Sequence, residues 1–575
     1  MQDRKAFYAP CVLLIVATQI VCQYLISGLD ADYISTHLFF DDVFYYMNIA
    51  WNFFEYGFFT FDGIHATNGV QLLWFLVILD IAAFAPTKTD MTIAVMVAVI
   101  LLNAAVHYPL WRIGRLLARP GLGLALSAAL LYVNVSGTAY LNGMEASLHL
   151  LILACLAATL LQAMQRARRS AMTGRDFGAV TFLLALSVWT RIDTAIFAAP
   201  LYLVLIWIYA GGTRTWHWPP VLASTALAGA MALTMLAAFQ HMGGTLLPVS
   251  GLVKQSMFNE GFAANLPEVL AQVLKLTNPF LNEVAEAARA VQKRQPVAVE
   301  GLVLAAALGL PLLAGWLLLE RRRSADGSGR RWRAAMAPLP GLCGLLALVT
   351  LPHLLYVASY PAYMVWYTSP YVLQVILATG LLIHRVAWLA TEKPLRDAAA
   401  PAVAPVPAPA WPRPVAACMA AGIAAMSAWT LSRENLATAA TNPATRWMVA
   451  LQEERLEIAR WIAEDLDRDI VAAAWNAGLL GYYGERRLIN LDGLVNDARY
   501  LREVLPRQAE VLPGYLARNR VALVIDRTDY DYARLSGFEP VELPDRFRLM
   551  RMVRSMHLPA EALALEQLIA ADDGG

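Results

Sequence analysis

The chain has 575 residues, 58% of them hydrophobic and only 15% charged, with 45 Lys and Arg against 44 Asp and Glu and a formal net charge of +1. A soluble domain carries about 25% charge, so this composition excludes a soluble enzyme, a disordered scaffold and a basic nucleic-acid binder. With a mean hydropathy of +0.49, the class that remains is a polytopic α-helical membrane protein.

In chain order, Arg4 and Lys5 precede an apolar run with no small-residue cleavage site after it, which reads as a retained first span. Spans are expected near 8–28, 91–111, 121–138, 146–164, 176–191, 194–211, 218–240, 300–319, 336–358, 366–385 and 414–431. The basic clusters Arg112/Arg115/Arg119, Arg166/Arg168/Arg169/Arg175, Arg321 to Arg333 and Arg385/Lys393/Arg396 are separated by even numbers of spans, so all can face the cytoplasm. The loop 30–69 has no Lys or Arg and carries six acidic residues; it falls on the outer side with the loop 241–299. A further apolar segment, 70–86, contains Asp80 and would break this parity if it crossed. It is expected to dip into the membrane or lie along it, leaving about eleven full spans plus one partial segment.

Residues 1–391 thus form a transmembrane module, 392–413 an Ala/Pro-rich cytoplasmic linker, 414–431 a last span, and 432–575 a soluble domain on the outer side. That domain opens with an amphipathic helix pattern over 447–466 and continues with strand-like runs at 470–475, 487–491 and 521–525, an α/β pattern. The five cysteines, Cys11, Cys22, Cys155, Cys343 and Cys418, lie in apolar runs without metal-ligand spacing and read as small buried hydrophobes. No phosphate-binding glycine motif is present, and no nucleotide cofactor is expected.

The residues suited to chemistry gather at one membrane face. Asp41 and Asp42 stand side by side just after the first span; two like charges at a low-dielectric surface raise each other's proton affinity, which suits a general base. The same pair suits a divalent cation, or the capping of a helix over 42–56. Asp62, His65, Thr67 and Asn68 follow in a turn-rich segment that reads either as two tight turns or as a set of sugar-binding groups. Glu145 precedes one span, Arg191 and Asp193 sit between two, and Trp366, Tyr367 and Tyr371 open another. Ionisable groups at such places are functional candidates or satisfied ion pairs, and the aromatics also fit an interfacial belt. Lys254 is an outer-side cation that fits either a phosphate or a snorkelling lysine. Asp80 and His107 lie outside this constellation. A transporter would place its ionisable groups at the midplane of broken helices, so their clustering at one face favours an enzyme; a lipid-linked-sugar transporter or flippase is the alternative.

The order and spacing of these segments resemble the GT-C superfamily of integral-membrane glycosyltransferases that use polyprenyl-phosphate sugars, and within it the arabinofuranosyltransferases that use decaprenyl-phosphate arabinose. The resemblance rests on Asp41-Asp42 with Tyr45-Tyr46, on FDGIHATNGVQLLW at 61–74, NGMEASL at 142–148, WTRID at 189–193, GTLLPVSGLVK at 244–254 and WYTSPY at 366–371, and on WNAGLLGYYGERRLINLDGLVND at 475–497. The chain departs from the pattern at Leu72, where a proline commonly precedes Leu-Trp. The resemblance implies Asp41 as catalytic base, with Asp42 supporting it, both candidate ligands for Mg2+, Mn2+ or Ca2+. It implies Lys254 and Arg191 facing the donor phosphate, and Asp62, His65, Asn68, Glu145 and Tyr367 around sugar or acceptor. It further implies a sugar donor on a polyprenyl phosphate, arabinofuranose first with aminoarabinose or a hexose as alternatives, a glycan, lipid or protein acceptor outside the cytoplasm, a soluble domain that contributes to acceptor binding, and residence in a bacterial inner membrane. Membrane lipid is a partner in this reading and nucleic acid is not.

Overall fold

The computed structural model describes residues 2–136, 140–169, 172–212, 218–256, 342–346, 349–350, 352–353, 356, 365–397, 443–532 and 535–557. The expected spans 300–319 and 414–431, most of 336–358, and the loop beyond residue 256 lie outside the described residues. So does the linker beyond Asp397; its first residues belong to a helix that runs Ser369–Asp397.

Among the described residues, five helical stretches are long and apolar enough to cross a membrane: Tyr8–Ser27, Lys88–Leu116, Ala146–Ala167, Ile192–Ala210 and Trp218–Gly243. They belong to α1 (Gln2–Ser27), α4 (Lys88–Ala105) with α5 (His107–Leu116), α7 (Ala146–Arg169), α9 (Ala195–Gly212) and α10 (Trp218–Gly243). The shorter helices α6 (Pro120–Ser136) and α8 (Gly174–Thr190) fill expected span positions beside them. Large apolar side chains stand exposed on these helices, as in Trp207 at 76% and Leu233 at 68%. In water that would be costly; against lipid tails it is the expected outward face. Polar groups turn inward instead: His107 Nε2 donates to Gln19 Oε1 at 2.9 Å, joining α5 to α1. His107 therefore packs α5 against α1.

The bundle has two chemically different ends. Arg112 bonds Gln162, Gln165 reaches the Leu116 carbonyl at 3.1 Å, and Arg166 pairs with Asp176 at 2.6 Å at one end. From there α7 and α8 run to Glu145 and Arg191 at the other end, where the C-terminal domain sits.

Two further helices stand at that second end. The first is α2 (Asp41–Tyr56), closed by Gly57 at φ +79°, a left-handed backbone that suits glycine. The second is α3 (Leu72–Phe84), the expected partial segment. Its start is tied to α2, because the Gln71 N–H donates to the Tyr46 hydroxyl at 3.0 Å. Four residues past its end, Lys88 meets the Tyr482 carbonyl, and the Tyr482 hydroxyl donates to the Lys88 carbonyl at 2.7 Å. Tyr482 packs on Phe44 of α2, ring centroids 5.6 Å apart. The start of α3 and Lys88 beyond its end thus both bond partners near α2, and Asp80 is exposed.

The C-terminal domain begins with α13 (Pro443–Asp465), counting α11 (Val249–Ser256) and α12 (Ser369–Asp397) before it. A five-stranded sheet follows in the order β2-β1-β3-β5-β4, from β1 (Val471–Ala474), β2 (Leu488–Asn490), β3 (Val521–Arg527), β4 (Phe538–Val541) and β5 (Met550–Ser555). β1 pairs parallel with β2 (Ala472 opposite Leu488) and with β3, and β5 pairs antiparallel with β3 (Leu523 opposite Arg554) and β4. The three parallel strands are the runs expected from sequence. The antiparallel pair is new, and its half-exposed β4 (Phe538–Val541) explains why alternation there is weak. Helix α14 (Gly478–Gly484) leads from β1 to β2, and α15 (Gln508–Arg518) precedes β3. The carboxyl ends of β1, β2 and β3 face α2 and the loop before α3, the side on which open α/β sheets place their working residues.

Candidate functional site

Residues from both modules line a cavity that opens to solvent. Its charged lining residues are Asp42, Glu145, Arg191 and Lys254; Tyr45, Tyr46, Gly69, Gln71, Met144, Ser250, Gly251, Tyr367 and Leu494 complete the wall.

The two aspartates part company. Both lie in the first turn of α2, whose N-cap is Phe40, so neither caps its own helix. Asp42 lines the cavity, 3.7 Å from Lys254 Nζ. Asp41 instead meets the start of α14: the Gly478 and Leu479 N–H groups donate to its two carboxylate oxygens at 2.9 and 3.0 Å, and Arg455 Nη1 stands 4.0 Å away. Only a glycine permits this approach, since a Cβ on residue 478 would lie 2.1 Å from the Asp41 carbonyl oxygen. Burial pushes the Asp41 carboxyl up to about 6, against the pull of Arg455 and the two amides.

Arg191 is fixed on three sides. It pairs with Glu145, its Nε and Nη2 reach Asp193 at 3.1 and 3.3 Å, and its guanidinium lies 4.0 Å over the Tyr367 ring. Asp193 passes the contact on to His353 at 2.9 Å, and His353 to the Tyr371 hydroxyl at 2.7 Å. These bonds use three of the five guanidinium N–H groups, so two remain. Glu145 has one oxygen on Arg191, and the other, Oε2, is buried without a partner. Burial raises the Glu145 carboxyl despite Arg191. Lys254, on α11, stands 5.9 Å from the Tyr367 ring centroid. Burial works against its charge, but Tyr367 and Asp42 more than offset that and hold its ammonium above the usual value.

Besides Asp41, three expected site residues lie outside the lining. Asp62 Oδ1 accepts the Ile64 and His65 amides at 2.8 and 2.7 Å, a turn clasp. Its Oδ2 meets His65 Nδ1 at 2.6 Å, and the His65 ring stacks on Tyr515 of α15. Burial lowers the His65 value, but the Asp62 hydrogen bond and charge outweigh it and the net shift is upward. Asn68 is fully buried; its Nδ2 donates to the carbonyls of Phe239 and Thr245, and its Oδ1 accepts from Val249 N–H at 2.9 Å. It holds the end of α10 and the start of α11, which positions Lys254.

The sequence points to the C-terminal domain for acceptor binding but names no site residue in it. Tyr45 donates to Asp492 Oδ2 at 2.7 Å and accepts from Asn490 Nδ2 at 3.2 Å. Burial pushes the Asp492 carboxyl up to about 7. Arg455 bridges Asp41 and Asp526. The Asp-Gly pair at 492–493 signals a turn, but nothing local signals where the turn reaches.

A resident divalent cation fits this arrangement poorly. Such ions take several oxygen ligands and no N–H donors. Asp41 spends both oxygens on amides and faces a guanidinium, and Asp42 faces an ammonium. Among the described residues no three His, Cys, Asp or Glu come together as a cation site.

Residues 445–564 match a family described as a domain of unknown function (DUF8728). No curated protein matches the sequence. The fold is similar to that of ArnT from Cupriavidus metallidurans bound to undecaprenyl phosphate, with 14% identity, a TM-score of 0.51, and 94% of this chain and 97% of that one covered. The apo state of ArnT gives 15% identity and a TM-score of 0.52 over the same shares. The archaeal oligosaccharyltransferase AglB from Archaeoglobus fulgidus, in complex with an inhibitory peptide and a dolichol-phosphate, gives 10% identity and a TM-score of 0.52, covering 92% of this chain and 70% of that one. At these identities the likeness is one of fold.

Proposed function

We propose that the chain is an integral-membrane glycosyltransferase that moves a sugar from a polyprenyl-phosphate donor to an acceptor hydroxyl outside the cytoplasm. One observation carries this reading. In a single cavity Asp42 stands 3.7 Å from Lys254, with Arg191 beyond Tyr367, so a base and the cations for a phosphate line the same space. The fold shared with proteins crystallised with undecaprenyl phosphate and dolichol-phosphate supports the donor class.

In this reading the donor phosphate takes the charge of Lys254 and the two remaining Arg191 N–H groups. The acceptor hydroxyl gives its proton to the Asp42 carboxylate as its oxygen bonds to the anomeric carbon. The bond from that carbon to the phosphate oxygen breaks, and polyprenyl phosphate leaves as an anion. It is a stable anion, so no acid is required at that oxygen; fixed cations stabilise the charge as it develops. Asp41 is then a positioning residue that clasps the C-terminal domain beside the base. Arabinofuranose is the proposed sugar, on the motif resemblance. The usual charge bias supports a cytoplasmic arginine-rich end, and with it an outer side for the cavity and the C-terminal domain in this reading.

The test is sugar transfer by the purified protein in nanodiscs, followed by mass spectrometry, with polyprenyl-phosphate arabinose and an arabinan acceptor. Asp42→Asn is expected to lower kcat by roughly 10²- to 10⁴-fold, the usual worth of a general base. Wild-type-like transfer by that variant, at saturating donor, would refute the assignment.

A further inference from the structure

The segment 490–497 is a rigid finger that the C-terminal domain pushes into the membrane module. Three of its own side chains fix its shape. Asn490 Oδ1 accepts from Gly493 N–H at 3.0 Å, Asp492 Oδ1 accepts from Leu494 N–H at 2.8 Å, and Asn496 Nδ2 donates to the Asn490 carbonyl at 2.7 Å. Gly493 has φ +90°, a backbone that only glycine adopts readily. The finger then locks to its surroundings. The Thr67 hydroxyl donates to the Asn496 carbonyl at 3.2 Å, and Tyr45 bonds Asp492. A Cβ on Gly69 would lie 2.0 Å from the Leu494 carbonyl oxygen, so residue 69 must be glycine for the finger to seat. A Cβ on Gly493 would lie 3.2 Å from Val253, the residue before Lys254.

We propose that this finger is the acceptor-selecting wall of the cavity, with Leu494 as the specificity-determining side chain and Asp492 as a positioning residue acting through Tyr45. The proposal rests on the transferase reading and gives a role to the domain matched over 445–564. Leu494 is the one residue of the C-terminal domain in the cavity lining among the described residues, and it is half-buried. Its carbonyl lies against Gly69, and it shares the cavity lining with Asp42 and Tyr45. The acceptor hydroxyl must reach Asp42. The lipid donor enters sideways from the bilayer, whereas a hydroxyl-rich acceptor enters from the water face on which the C-terminal domain sits. An aliphatic side chain and an aromatic ring beside a carboxylate suit a sugar ring, whose C–H face packs on apolar surface while a hydroxyl meets the carboxylate. The acceptor class is therefore a glycan hydroxyl, and the finger gauges the size of its terminal sugar.

The experiment measures transfer from polyprenyl-phosphate arabinose to octyl glycosides of arabinose, galactose and mannose by the full chain in nanodiscs. Variants are Leu494→Trp, Leu494→Ala and the conservative Leu494→Met, with thermal unfolding as the fold control and polyprenyl-phosphate binding as the donor control. Filling the wall with Leu494→Trp should raise acceptor KM roughly tenfold or more, with donor binding unchanged. Leu494→Ala should shift preference toward the bulkier hexosides, and Leu494→Met should behave as wild type. Asp492→Asn should move the pH profile of kcat with little effect on acceptor KM. Unchanged acceptor KM and preference in both Trp and Ala variants would overturn the proposal, as would a shift in donor binding alone. Failure of the wild type to transfer to any glycoside, while it binds polyprenyl phosphate, would refute the transferase reading itself and this inference with it.

Discussion

Gly478→Ala tests the clasp between the two modules with a single methyl group. Residue 478 is the first residue of α14, and its φ is not in the left-handed region, so alanine suffers no backbone strain there. Helix propensity would favour alanine by up to about 1 kcal/mol. The added Cβ, however, would stand 2.1 Å from the Asp41 carbonyl oxygen and 2.8 Å from its Oδ2. The first contact is with backbone on both sides, which no rotamer can relieve. To clear it, α14 must retreat by about 1 Å, at the 1–3 kcal/mol that overpacking usually costs. The two amide bonds to Asp41 stretch as it does so, each worth about 1.5–3 kcal/mol when the acceptor is charged. The net expectation is a loss on the order of 3 kcal/mol, opposite in sign to the propensity effect. Gly514→Ala serves as control: in α15 its Cβ meets only the tip of Arg518, at 3.7 Å, and it should be neutral or slightly stabilising. Thermal unfolding of the full chain in nanodiscs reads both. An unfolding midpoint for Gly478→Ala equal to that of the control would refute the clasp and the positioning role given to Asp41.

Lys254→Met keeps the stem and removes the charge; kcat should fall roughly 10²- to 10³-fold, the usual worth of one fixed group stabilising developing negative charge, as read by steady-state transfer at saturating donor. Stability should fall as pH rises through 6 to 7. Asp41 and Asp492, near 6 and 7 in the fold against 3.8 ordinarily, bind more protons folded than unfolded in that window, and for Asp41 alone the cost of ionisation is about 3 kcal/mol at neutral pH. The unfolding midpoint should drop from pH 5 to pH 8, and less steeply in Asp492→Asn. Added EDTA should leave transfer rates unchanged, because Asp41 is committed to amides; loss of activity restored by Mg2+ or Mn2+ would contradict that.

Much of the membrane module is legible in the sequence because lipid demands long apolar runs, and those runs cannot hide. Parity of the basic clusters and Asp80 suggest that α3 does not cross, and its start and the residue Lys88 beyond its end both bond partners near α2. The acidic pair, Lys254, Glu145, Arg191 and Tyr367 are legible as ionisable or aromatic groups at one face. What local sequence does not carry is which of two adjacent carboxylates faces the cavity. Successive residues on a helix point about 100° apart, so Asp41 and Asp42 must look in different directions, but only the partner domain decides which direction is which. Asn68 and Asp62 carry the same polar signature as ligand groups and spend it on backbone, because buried loops must satisfy their own amides. Tyr45, Asp492 and Leu494 meet across more than 440 residues, and no spacing rule reaches that far.

The most direct test of the account is turnover of a polyprenyl-phosphate arabinose donor by the purified wild type and by Asp42→Asn and Asp41→Asn, assayed side by side for transfer and for folding. The account predicts transfer by the wild type, loss of at least about 10²-fold in Asp42→Asn with an unchanged unfolding midpoint, and in Asp41→Asn a change in unfolding at least as evident as the change in rate. Abolished transfer in a normally folded Asp41→Asn, with Asp42→Asn active, would contradict the assignment of the base. Binding of the donor by a wild type that moves it across vesicle membranes without cleaving it would contradict the transferase reading itself.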